Sequence, residues 1–163
     1  GIRTRRTVTA EASESTLTAF AVSFWVPALG GRSLSTNARG AKRNPHAISA
    51  AKYALGDATY FSVLAQLGPD VPHIDGRADV FLDYHICFNQ KLTRNVDDCY
   101  RFTDPSNGGG DVAKPIMDYG VVRTGILDDD NYKHVRFFTC GITPVETLAE
   151  EGVRVTVTEV EGE

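Results

Sequence analysis

The chain has 163 residues, 42% apolar and 23% charged, with a formal net charge of −4. That is the size and composition of one globular domain able to bury its own core, which excludes a disordered or collagen-like chain. No apolar run approaches the ~18 residues of a membrane span.

Cys87, Cys99 and Cys140 are odd in number and form no Cys-x-x-Cys pair. Reduced thiols in a cytoplasmic protein are therefore expected, rather than a disulfide framework or a zinc knuckle. No signal peptide is visible. A net charge of −4 taken alone argues against nucleic acid, but the distribution is uneven. Residues 1–52 hold eight Lys/Arg against Glu11 and Glu14, while residues 53–163 hold nine against nineteen Asp/Glu. This pattern suits an enzyme that grips phosphate on one surface and holds divalent cations on another, and it also suits an unevenly charged solvated surface.

Residues 1–16 are rich in Arg, Thr, Ser and Glu and read as a mobile tail preceding a domain over 17–163. Leu17 to Val26 is apolar and β-prone, with Phe20, Val22, Phe24 and Val26 on one side, and Pro27 ends it. The Gly-, Ser- and Arg-rich stretch 28–44 reads as a long loop. A helix is expected from Pro45 to about Leu67, with Ile48, Ala51, Tyr53, Leu55, Ala58, Phe61, Leu64 and Ala65 near helical spacing and Gly56 weakening its middle. Asp79 to Asn89 alternates as a strand, with Val80, Leu82, Tyr84, Ile86 and Phe88 on one face, and Asp98 to Phe102 can extend the sheet.

A second helix is expected from Val112 to about Arg123, capped by Asp111 and with Pro115 in its first turn. Tyr132 to Cys140 reads as a strand, Pro144 to Glu151 as a short helix or turn, and Val153 to Val160 as a final strand with Val153, Val155 and Val157 on one face. The fold class that follows is α+β: a single domain with a mixed sheet packed against two main helices.

The residues that could carry chemistry are acidic and gathered around one lysine. Asp104 and Asn107 belong to an Asp-Pro-Ser-Asn turn followed by three glycines and Asp111. Lys114 and Asp118 are four apart and share a helical face, and Asp128, Asp129 and Asp130 sit at a turn entering a strand. If these segments fold back on one another, Asp104 and one or two of the later aspartates can meet at one end of the sheet. Two convergent carboxylates suffice for a Mg²⁺ ion that completes its shell with water and phosphate. Each piece also has an ordinary explanation as a turn or a helix cap. The run from Arg32 to Lys52 holds five cations and no acid, so it can neutralise phosphates or be a plain surface loop. The four histidines lack metal-ligand spacing, and no Gly-x-Ser-x-Gly elbow or phosphate-binding glycine loop occurs.

The acidic arrangement resembles that of RusA-type Holliday-junction resolvases. Asp104-Pro-Ser-Asn107 is similar to the family's Asp-x-Asp-Asn segment, Lys114-Pro-Ile-Met-Asp118 to its Lys-x-x-x-Asp, and Gly125-Ile-Leu-Asp-Asp-Asp130 to its Asp-Asp pair after a Gly-hydrophobic-hydrophobic step. Ser33 to Arg39 resembles its Pro-x-Ser-x-Asn region, and Gly152-Val-Arg-Val-Thr-Val its last strand. Two departures stand out: Ser106 replaces the family's second aspartate, and three glycines plus Asp111 lengthen the path to Lys114.

The resemblance implies a Mg²⁺-dependent (or Mn²⁺-dependent) structure-selective endodeoxyribonuclease that resolves four-way DNA junctions as a homodimer, in the cytoplasm of a bacterial or phage-infected cell. It implies Asp104 and Asp130 as metal ligands, with Asp129 assisting and Asp111 as a replacement ligand. Lys114 becomes the stabiliser of phosphate charge, supported by Ser106, Asn107 and Asp118. Arg32, Asn37, Arg39, Lys42 and Arg43 become DNA contacts. The alternative is a non-catalytic branched-DNA-binding protein that has lost an active-site carboxylate at Ser106.

Overall fold

The structure is a computed structural model that describes residues 4–8, 18–27, 45–88 and 112–161. Among the described residues five strands form one mixed sheet: β1 (Thr4–Val8), β2 (Thr18–Pro27), β3 (Ala78–Cys87), β4 (Val135–Val145) and β5 (Gly152–Glu159), in the order β1-β2-β5-β3-β4. The outer pairs β1/β2 and β3/β4 are parallel, while β5 runs antiparallel to both β2 and β3. Helix α1 (Pro45–Leu67) and a shorter helix lie on the sheet; the latter begins as α2 (Ala113–Ile116) and continues as a π-helical segment over Met117–Val122. This is the α+β architecture that the alternation of strands and helices predicts. Among the described residues no helix is long and apolar enough to cross a membrane.

The period-2 pattern of the three central strands builds the core. Register places Val22, Val157 and Val80 in one row across β2, β5 and β3, Phe24, Val155 and Leu82 in the next, and Val26, Val153 and Tyr84 in a third. All nine side chains are fully buried. Leu55, Val63 and Leu67 of α1 and Val112, Ile116 and Val121 of the second helix close over them. Burying a side chain of this size contributes about 1.5–3 kcal/mol, so this grid is the main source of cohesion.

The two helices meet through small residues. A Cβ built at Gly56 would lie 2.6 Å from the Tyr119 ring, and one at Gly120 would lie 2.7 Å from Thr59 Cγ2 and 3.0 Å from Phe24. Gly56 is thus a contact point between the helices, and Arg123 stacks over both Tyr60 and Tyr119 at the same junction. Gln66 of α1 serves the sheet differently. Its amide bridges the Trp25 backbone, accepting from Trp25 N–H at 2.8 Å and donating to Trp25 C=O at 2.8 Å. Strand β1 pairs β2 only as far as Val22, so Gln66 satisfies edge groups beyond it.

Several expectations are corrected. Thr4–Val8, inside the predicted tail, is a strand: an edge strand of Thr, Arg and Val is held by its backbone ladder and needs no large apolar side chains. On α1 the buried stripe is Leu55, Thr59, Val63 and Leu67, whereas Tyr53 and Phe61 are exposed, because the helix turns the Leu55–Thr59–Val63 face toward the core. Phe88 is also exposed rather than aligned with the inward residues of β3. The second helix turns π-helical where one continuous α-helix is expected, and Val112 takes the N-cap position of its α-helical part. Strand β4 starts at Val135 and runs on to Val145, through Pro144, which an edge strand tolerates. Of the stretch Pro144–Glu151, expected as a short helix or turn, Pro144 and Val145 belong to β4 and Leu148–Glu150 form a single 3-10 turn. The predicted strand at 98–102 lies outside the described residues, as do Asp111 and the loop 28–44.

The close approach at Gly120 gives an expected outcome. Gly120→Val forces a side chain against Thr59 and Phe24 and should lower unfolding stability by about 1–3 kcal/mol in a urea titration, with the denaturant slope unchanged.

Candidate active site

The local chain between the second helix and β4 explains how acidic residues reach that helix. Gly125 has φ of +89°, a conformation that side chains rarely adopt, and it reverses the chain after the helix. Ile126 and Leu127 then plug into the core, fully buried, which forces Asp128, Asp129 and Asp130 out to the surface. Two backbone bonds hold this turn, Leu127 N–H to Val121 C=O at 3.1 Å and Ile74 N–H to Ile126 C=O at 2.9 Å.

Lys114 stands in the first turn of the helix, just before the buried Pro115, whose missing N–H costs nothing there. Its ammonium donates to Asp118 Oδ1 at 3.1 Å, one turn along the same helix, and to Asp130 Oδ2 at 3.1 Å on the neighbouring turn. The π-helical segment carries Asp118, whose C=O also accepts from Arg123 N–H five residues on. The hydrogen bonds that Lys114 donates, to Asp118 first and then to Asp130, raise its pKa, and the Lys114 ammonium is the main cause holding the Asp130 carboxyl below its ordinary value. The Asp130 contribution is therefore present above pH 3.8 and fades as pH falls through its lowered folded value, and that of Lys114 persists until pH rises past 10.5. Across neutral pH Lys114 and Asp130 are both charged. Lys114 is largely exposed, so solvent screening keeps the pair small as a source of stability.

The three aspartates of the turn have different partners. Asp129 Oδ1 accepts the Asp130 backbone N–H at 2.7 Å and Oδ2 accepts Asn131 Nδ2 at 3.2 Å, so its carboxylate shapes the turn. Asp128 Oδ1 lies 3.1 Å from His73 Nε2, while the other ring nitrogen of His73 lies 3.1 Å from Asp75 Oδ1. Asp130 alone of the three reaches Lys114. Of the expected site residues, Lys114, Asp118 and Asp130 are thus brought together. Asp104, Ser106, Asn107, Asp111 and the basic residues Arg32, Asn37, Arg39, Lys42 and Arg43 lie outside the described residues. The His73–Asp128 contact spans 55 positions and has no signature in the sequence; it exists because the loop before β3 pairs its backbone with the turn at Ile126.

Carboxylate oxygens are the hard donors that Mg²⁺ or Mn²⁺ takes, and an Asp130 carboxylate fully ionised beside a lysine fits that requirement. Among the described residues, no group of three or more His, Cys, Asp or Glu side chains is placed to hold a metal ion. No protein-family model matches the chain, and no curated protein matches it.

The lysine bridge has a direct test. In Lys114→Met the Asp130 carboxyl should titrate higher, toward the ordinary value of 3.8, when followed by NMR of labelled aspartate carbons. An unchanged midpoint would show that the bridge is not what depresses it.

Proposed function

We propose that the chain is a metal-dependent, structure-selective endodeoxyribonuclease of the RusA type that cuts four-way DNA junctions as a homodimer in the cytoplasm. The observation that carries the reading is the lysine of one resembling motif hydrogen-bonded at 3.1 Å to an aspartate of the next, 16 residues away. Isolated turn and cap explanations for these acids do not call for that convergence.

In this reading Asp130 and Asp104 hold a Mg²⁺ or Mn²⁺ ion, with Asp129 fixing the turn that presents Asp130 and Asp111 available in place of the aspartate missing at Ser106. When bound, the ion polarises a phosphoryl oxygen and makes water a stronger nucleophile at neutral pH. Lys114 supplies a fixed positive charge where negative charge grows on the phosphate, and Asp118 keeps its ammonium protonated and aimed. The basic residues Arg32, Arg39, Lys42 and Arg43, with Asn37, give contacts to the phosphate backbone, so binding follows junction shape more than base sequence and weakens as salt rises.

The test is cleavage of a synthetic four-way junction in Mg²⁺. Wild type should nick it, and Asp130→Asn should slow nicking by about 10²-fold or more while junction binding persists. Failure to bind any branched DNA overturns the proposal. Binding without nicking, with activity gained by Ser106→Asp, moves the chain to the non-catalytic reading.

A further inference from the structure

Lys114 stands on the same carboxylate that the nuclease reading gives to a metal ion. Its ammonium lies 3.1 Å from Asp130 Oδ2 and 3.1 Å from Asp118 Oδ1, so it draws on two carboxylates at once. An ammonium is a compact single charge with three donors and no acceptor. A divalent cation carries twice that charge and is repelled by an ammonium held against the same group. The repulsion grows where water is partly excluded, as it is at Asp130, whose side chain is 34% exposed. Lysine and ion therefore compete for one carboxylate.

The surroundings let the lysine leave Asp130 without disturbing the rest of the site. Asp118 lies four residues on in the same helix and moves with Lys114, so it remains an anchor for a side chain that is 73% exposed on a flexible stem. Asp130 is held separately. It follows the buried Ile126 and Leu127, and Asp129 Oδ1 accepts its backbone N–H at 2.7 Å, so the carboxylate stays presented when the lysine departs. The other acids of the turn are engaged elsewhere: Asp128 faces His73, and Asp129 bonds Asn131 and the turn's own backbone.

We propose that the Lys114 ammonium holds Asp130 in place of a divalent cation and is displaced from it when the cation binds, pivoting on Asp118 so that its freed N–H groups turn to substrate phosphate. The inference rests on the nuclease reading in one respect, that Asp130 takes the ion. It adds an order to that site: the lysine becomes available to phosphate only as the ion loads. By linkage, ion and phosphate then each tighten the binding of the other.

Mn²⁺ binding to the full chain without DNA, followed by electron paramagnetic resonance, reads the competition without turnover. Lys114→Met should tighten Mn²⁺ at least about tenfold. Lys133→Met, which removes the same charge three residues along the chain from Asp130, should change it less than about twofold. In the wild-type protein, the NMR coupling between Lys114 Nζ and the Asp130 carboxyl carbon should vanish at saturating Mg²⁺ while the coupling to Asp118 persists. This second arm needs no substitution. Equal effects of the two lysine variants overturn the proposal, as does an Asp130 coupling that survives saturating Mg²⁺, and either result leaves the metal reading standing. Mn²⁺ held by Asp130→Asn as tightly as by wild type overturns it by placing the ion elsewhere. Failure of wild type and Lys114→Met alike to bind Mn²⁺ at about 10 mM overturns the metal-dependent reading and this proposal together.

Discussion

The valine-rich inner face of β2, β5 and β3 is the constraint from which the rest of the molecule follows. Three rows of fully buried side chains must be sealed from water, and among the described residues α1 and the second helix do it. Sealing them requires the two helices to approach each other and the sheet closely, which Gly56 and Gly120 permit by offering no side chain where Tyr119, Thr59 and Phe24 stand. A larger residue at either position would lift a helix off the sheet. The second helix is therefore pinned in place, and with it Lys114, whose neighbours Ala113, Pro115 and Ile116 are all buried.

The same apolar anchoring places the opposing charges. Ile126 and Leu127 are held in the core, so the aspartates that follow cannot retreat from the helix that carries Lys114. Coulombic attraction across an exposed contact is too weak and too screened to organise a turn by itself. Packing puts Asp130 within reach, and the hydrogen bond to Lys114 then selects its ionised state. The contact joins two of the motifs that resemble one family's acidic site, which is why it carries the functional proposal.

Much of this fold was legible from pattern. Alternation in Val22–Val26 and Val153–Val157 predicts the inward rows, and the bounds of α1 agree with the structure because Pro45 opens it and Gly68 and Pro69 end it. Errors arose where an element is stabilised by something other than its own apolar periodicity. Thr4–Val8 relies on ladder bonds to β2, and the buried stripe of α1 follows Leu55, Thr59 and Val63 and leaves the aromatics Tyr53 and Phe61 exposed. In the candidate site, the Lys114–Asp118 spacing is local and readable, whereas His73 against Asp128 depends on two distant loops pairing.

What the sequence determined by itself was which residues can be buried and which carry charge: period-2 and period-3.6 patterns state the element, and glycine at 125 followed by two apolar residues states that the next aspartates must emerge. Tertiary structure decided which charges meet. The choice of Asp130 over Asp128 and Asp129 as the partner of Lys114 depends on the angle at which a turn leaves the core, and no one-dimensional spacing encodes that angle.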